Sequence, residues 1–283
     1  MRSLLSLLLI PLLAFLSAAC GDARTPVILA ATTSTYDSGL LEVLIAAFNR
    51  EHGTIRIRTV VMGSGEALEL GRRGDADVLL IHAPEAEEHF IEEGYADERV
   101  PVMYNDFVIL GPVSDPAEVA ETDTPGAAFE AIAQSRALFV SRGDSSGTHY
   151  RELALWKTAR IDVFGPWYVE SGQGQGTSLQ IASERAAYTI SDRATFTVLQ
   201  DILELKPLFE RHRSLLNLYS VIRPEEALHK GEAQVFVDWL TSESGQEVIL
   251  RFRHHDTEEP LFRPLVRGST NPVLPVPDLE EMY

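Results

Sequence analysis

The stretch "VILAATTSTYDSGLLEVLIAAFNREHG", Val27 to Gly53, decides how the fold is read. Val27 to Ala31 is an apolar run of strand length. Thr32 to Gly39 is a turn dense in hydroxyls. Leu41, Leu44, Ile45 and Phe48 then recur at i, i+3, i+4 and i+7, the stripe of an amphipathic helix, and Gly53 is placed to stop it. The hydroxyls of Thr32 to Ser38 therefore fall between a strand end and a helix start. Backbone N–H groups lack partners there, and the helix dipole is positive.

The same order recurs downstream. In "TIRIRTVVMGSG", Ile55 and Ile57 alternate with Arg56 and Arg58 as in a strand, which ends in Gly63-Ser64-Gly65. The helix "EALELGRRG" and the buried strand "ADVLLIHAP" follow. Strand, helix, strand, helix, strand predicts an α/β fold with parallel strands, in which ligands sit at the strands' carboxyl ends. "ALFVSRGDSSGTHYRELALWKTA" is another strand, loop and helix. "GQGQG", Gly172 to Gly176, precedes the helix "SLQIASERA", and "AYTISDRATF" reads as strand then turn. Two similar strands, "YNDFVILGP" (Tyr104–Pro112) and "NLYSVIRP" (Asn217–Pro224), bracket the middle of the chain. They read as crossovers between two α/β lobes. The first lobe is discontinuous, residues 26–110 plus 219–283, and the second is 111–218.

The net charge of −18, from 24 basic and 42 acidic residues, argues against sequence-independent nucleic-acid binding, which needs clustered Lys and Arg. It does not exclude a small anion, because salt screens charges beyond ~8–10 Å. Residues 1–19 read as an export signal: Arg2 supplies the positive start, and the apolar run Leu4 to Leu16 is too short to span a bilayer. Cys20 is the single cysteine of the chain, so no internal disulfide is available to it. Its functional reading is lipidation as the first mature residue, although Leu16 stands four rather than three positions before it. Ordinary cleavage after Ala18 or Ala19, or an uncleaved anchor, are the other readings. The mature body is expected to be exported, tethered at most by its N-terminus, and monomeric.

Three turns share one design: "TTSTYDSG", "GSGEA" and "SRGDSSGTH". Each follows a strand, precedes a helix, and combines small residues with hydroxyl donors. An oxyanion with several terminal oxygens needs such a shell of converging donors, to which Arg142 adds a charge and a two-pronged contact. Taken singly, each turn is equally well a helix cap. Arg193 reads either as a second cationic contact or as the partner of Asp192 or another acid. Asp144 and Asp192 suit the orientation of a neighbouring arginine better than contact with an anion. No catalytic, metal or cofactor constellation stands out. The eight histidines lack ligand spacing and read as surface residues, with His149 as a packing or hydrogen-bonding residue. No G-x-S-x-G elbow or P-loop is present, so the chain does not read as an enzyme.

Together, "AATTSTYDSGLLEVLIAAFNREHG", "GSGEALELGRRGDADVLLIHAPEAEEHF", "PVMYNDFVILGP", "SRGDSSGTH" with "ELALW", "GQGQGTSLQIASERAAYTISDRATF" and "LYSVI" resemble the tungstate-binding solute receptors of bacterial ABC importers. The resemblance implies a type II periplasmic-binding-protein fold, with the dianion in a cleft between the lobes and a permease and ATPase as partners. It implies Thr33 and Ser64 as donors from the first lobe and Arg142 and Thr148 from the second. Ser34, Ser146 and Arg193 follow by proximity to the matched motifs. Two threonines stand in "AATTS" where the family often has three, and Gln175 stands where an apolar residue is common. Molybdate or another oxyanion on the same fold stays open as the cargo, and so, at lower rank, does a sensory or enzymatic module.

Overall fold

The first strand, β1 (Thr25–Thr32), runs directly into a short helix, α1 (Thr33–Asp37), and then α2 (Leu40–Glu51). Gly39 joins the two helices at φ 83, a left-handed conformation open to glycine at little cost. The computed structural model describes residues 24–255 and 257–265. The expected signal segment 1–19, Cys20 and its lipidation, and residues 266–283 lie outside the described residues. β2 (Ile55–Met62), α3 (Ser64–Arg72), β3 (Val78–Ile81) and α4 (Pro84–Glu92) complete the alternation read from the sequence. β1 pairs in parallel with both β2 and β3, as the strand and helix order predicts.

The long strand β4 (Arg99–Pro112) begins five residues before the apolar run that marks it in the sequence and changes partners along its length. Beyond it come α5 (Pro125–Ser135), β5 (Phe139–Ser141), α6 (Gly147–Thr158), β6 (Tyr168–Glu170), α7 (Gln175–Glu184), β7 (Thr189–Asp192), α8 (Arg193–Leu199) and β8 (Leu205–Phe209). β9 (Leu216–Ile222), α9 (Lys230–Thr241), α10 (Glu243–Arg251) and β10 (Arg263–Pro264) follow. Arg99 to Asp106 of β4 pair antiparallel with β9, which also pairs with β3. From Phe107 onward β4 pairs with β7 and β8 instead. The result is a mixed α/β molecule of two lobes whose sheet is continuous through β4.

Strand alternation places the cores. Leu29, Ala31, Val78 and Leu80 face α2, α9 and α10, whereas Ala30, Leu79 and Ile81 face α3 and α4. Further along β4, Phe107 and Ile109 join Phe129, Phe139 and Trp156, while Val108 and Leu110 join Leu179 and Phe196. Each fully buried large side chain contributes roughly 1.5–3 kcal/mol by leaving water. Both halves of the sheet are covered on both faces, so their loops gather at its strand ends. One element differs from its sequence reading. "DRATF" is helical rather than a turn, because the Asp192 carboxylate caps the Thr195 N–H at 2.9 Å and Phe196 finds a buried place.

Candidate functional site

Several helix starts converge where the two halves of the sheet meet. α1 begins at Thr33, α3 at Ser64, and α6 at Gly147 behind the loop from β5. The halves touch closely at these starts. The Gly65 N–H donates to the Ser145 carbonyl at 3.0 Å, and a Cβ on Gly63 would stand 3.2 Å from the Asp144 carbonyl oxygen. A Cβ on Gly147 would stand 2.2 Å from the His82 carbonyl oxygen, so only glycine fits there. Helix starts carry partial positive charge, and the starts of α1, α3 and α6 meet at this junction, an arrangement that suits a compact anion.

Arg142 is 3% exposed and held on every side. Its Nε donates to the Gln173 carbonyl at 2.7 Å, and Nη1 donates to Gln175 Oε1 at 3.0 Å. Nη2 reaches Thr33 Oγ1 across the junction at 3.4 Å and also pairs with Asp144. Gln175 is itself anchored by donating to the Ile190 carbonyl at 3.2 Å. Gln175 thus orients the guanidinium. Asp144 acts as the sequence suggests, as the arginine's carboxylate partner.

The structure brings Thr33, Ser34, Ser64, Arg142, Ser146 and Thr148 to this junction. Ser64 is buried and its hydroxyl accepts the His82 N–H at 3.4 Å. Ser146 caps α6, accepting the His149 N–H at 3.3 Å. His149 Nδ1 in turn accepts the Ser145 N–H at 3.0 Å, which is the local hydrogen-bonding role expected of it. The Thr148 hydroxyl is buried with no hydrogen-bond partner. Arg193 is not brought into the cluster. Its Nε and Nη2 grip both oxygens of Asp106 at 2.6 Å, and Nη1 donates to Glu210 at 2.7 Å. These carboxylates raise its pKa and engage its charge, so the ion-pair reading of Arg193 replaces the ligand reading.

Four residues of the junction carried no sequence signal. His82 is buried, not on the surface as the histidines read in the sequence, and it stacks on Tyr219 with ring centroids 4.5 Å apart. Burial, the largest influence, pushes its pKa down to about 4 and keeps the ring neutral. Its Nδ1 meets Asn217 Oδ1 at 2.7 Å, and its Nε2 lies 3.4 Å from Ser34 Oγ. Asn105, Asn217 and Tyr219 lie behind it on β4 and β9. All four sit in strand-like apolar runs, where nothing local separates a site residue from a core residue. Among the described residues no cluster of His, Cys, Asp and Glu is arranged for a metal ion.

The chain matches the PBP superfamily domain over residues 18–244. It is 41% identical over 250 residues to the tungstate-binding protein TupA of Peptoclostridium acidaminophilum, an alignment covering 86% of this chain and 87% of that one. Two solved structures are also similar. The tungstate ABC transporter structure from Geobacter sulfurreducens superposes with a TM-score of 0.70 at 40% identity, covering 79% of this chain and 97% of that chain. The tungstate-binding protein TupA from Desulfovibrio alaskensis G20 gives a TM-score of 0.69 at 39% identity, covering 86% of this chain and 100% of that chain.

Proposed function

We propose, on the premise that this chain belongs to the PBP superfamily and within it to the tungstate-binding proteins, that its helix-start junction is where tungstate is held. The chain is a solute-binding protein of an ABC transporter, and its cargo is the tetrahedral tungstate dianion. Thr33 and Ser64 donate from one side, and Arg142 and Thr148 from the other. Ser34 and the first-turn N–H groups complete the shell, and Ser146 contributes its backbone while its hydroxyl caps α6. Residues 26–110 with 219–283 form one lobe and 111–218 the other, hinged where β4 exchanges β9 for β7.

The observation that carries this reading is the Thr148 hydroxyl, buried without a partner in the first turn of α6. A buried unsatisfied hydroxyl costs about 1–3 kcal/mol, which an accepting oxyanion oxygen offsets. The buried His82 is neutral, and Asp144 is engaged by the Arg142 guanidinium and the Ser146 N–H. A shell built mainly from donors favours an anion without protons over hydrogenphosphate, whose O–H would meet donors.

Calorimetry of the mature protein with tungstate, molybdate, sulfate and phosphate in parallel tests the reading. Tungstate is expected to bind tightest and phosphate weakest. Equal heats with all four would remove the specificity claimed here, and preference for molybdate would reassign the cargo. The chain acts by binding and delivery to a permease and ATPase rather than by catalysis, as an exported monomer tethered through Cys20. Membrane release of a Cys20→Ser variant tests the tether.

A further inference from the structure

Behind the donor cluster runs a chain of buried polar side chains that links the two crossover strands. Asn105 of β4 and Asn217 of β9 are register partners. Asn217 Nδ2 donates to Asn105 Oδ1 at 2.8 Å and to the Tyr219 hydroxyl at 3.1 Å. The Tyr219 hydroxyl lies 3.0 Å from Ser34 Oγ.

The direction of every proton in this chain follows from one end. The buried Asp192 carboxylate accepts the Thr195 N–H and faces Asn105 Nδ2 at 3.5 Å. An acceptor there turns the Asn105 amide so that its oxygen faces Asn217. Asn217 must then present its NH₂ group, which leaves its oxygen for His82 Nδ1. That nitrogen therefore carries the ring proton, and Nε2 is bare. The Tyr219 oxygen already accepts from Asn217, and burial keeps its phenol protonated, so Tyr219 donates to Ser34. Of the other two neighbours of Ser34 Oγ, the bare His82 Nε2 at 3.4 Å offers a lone pair, and Thr32 Oγ1 at 3.0 Å is a hydroxyl able to donate or accept.

We propose that Asn217 and Tyr219 are positioning residues whose relay occupies a lone pair of Ser34 Oγ with the Tyr219 proton, so that Ser34 uses its own proton as a donor, toward His82 Nε2 in the free protein and toward the oxyanion once it is bound. The proposal rests on the tungstate reading above. Neither residue touches the anion; both act through Ser34.

Calorimetric titration of tungstate into wild type, Ser34→Ala, Tyr219→Phe and the double variant tests it, with thermal unfolding to confirm that each is folded. Ser34→Ala is expected to weaken binding on the order of tenfold, the scale of one hydrogen bond to a charged group. Tyr219→Phe should weaken it severalfold alone and have no further effect on top of Ser34→Ala. Asn217→Asp, whose two oxygens accept the Tyr219 proton, should behave like Tyr219→Phe and serves as the second probe. Equal losses from Tyr219→Phe in both backgrounds, or no loss from Ser34→Ala, overturn the relay while leaving the tungstate reading intact. Absence of tungstate binding by wild type overturns that reading instead. The relay's polarity is then decided by ¹⁵N NMR of His82, where an Nδ1–H ring supports it and an Nε2–H ring overturns it.

Discussion

At the residue scale, Thr148 carries a buried hydroxyl with no hydrogen-bond partner at the start of α6. Thr148→Val keeps the shape and removes the unsatisfied group. The ligand-free protein is expected to unfold at an equal or higher temperature, while tungstate affinity falls about tenfold by calorimetry, one charged hydrogen bond. A lowered Tm with unchanged affinity would move Thr148 out of the site. Arg142→Lys keeps the charge but not the fork held by Gln173, Gln175 and Asp144, and is expected to cost about a hundredfold in affinity. Affinity within threefold of wild type would show that charge alone suffices. The strand, donor-rich loop and helix start around Arg142 are consecutive in the sequence, which offers Arg142 as an anion contact, whereas Thr148 is singled out only by the resemblance to the tungstate receptors. Arg193 was legible as a cation with two readings, an anion contact or the ion-pair partner of an acid, and the structure shows the second. What decides its role is Asp106, 87 positions away, and Glu210, 17 away, which no local pattern announces. His82, Asn217 and Tyr219 were illegible for the same reason. Their partners come from other strands, and pairing register is a property of the folded sheet.

At the element scale, α6 is the piece that joins binding to packing. Its first residue, Gly147, rests on the His82 carbonyl, and its second, Thr148, carries the buried hydroxyl without a partner. Gly147→Ala places a methyl 2.2 Å from backbone, which no side-chain rotation relieves. The expected outcome is at least tenfold weaker tungstate binding with little change in the ligand-free Tm, because the halves can part to admit the methyl. Unchanged affinity would mean that the junction need not close this tightly. One turn further along, Glu152 is buried and accepts from Ser141 and Tyr168 at 2.7 Å and from Trp156 at 3.1 Å. Burial, outweighing these bonds, pushes its carboxyl up to about 7 from 4.5. A raised folded-state pKa contributes stability that is complete below the unfolded value and lost as pH rises through the folded one. Glu152→Gln keeps the acceptor to Trp156 and Tyr168 and turns its NH₂ to the Ser141 hydroxyl. Measured against this variant by thermal unfolding, wild type should lose several degrees of relative Tm between pH 4.5 and 7. A constant difference across that window would show that Glu152 does not titrate there.

At the scale of the whole molecule, an acidic protein carries an anionic cargo. The net charge of −18 is spread over the surface and screened within a Debye length of ~8 Å. The junction is governed instead by Arg142 and the helix starts. Alternation of strands and helices made the two-lobed α/β plan readable, whereas the partner exchange within β4 is set by which strand lies beside it. That exchange leaves β4 and β9 as the continuous link; across the junction Ala194 and Val198 of α8 pack against the first lobe's core, and polar contacts join the helix starts. Beyond Arg142 to Thr33, they include the Gly65 N–H on the Ser145 carbonyl at 3.0 Å and the Gly176 N–H on the Asp37 carboxylate at 3.1 Å. Neither amide bonds within its own half, so both report directly on closure. If the anion draws the lobes together, tungstate should slow hydrogen exchange at Gly65 and Gly176 by tenfold or more, while amides in β1 and β3 keep their rates. Asp37→Ala, which removes only the second contact, should speed tungstate release with little effect on its capture. Equal exchange at the two glycines with and without tungstate would show that the halves stay together in the absence of cargo, and that binding proceeds on a preformed site.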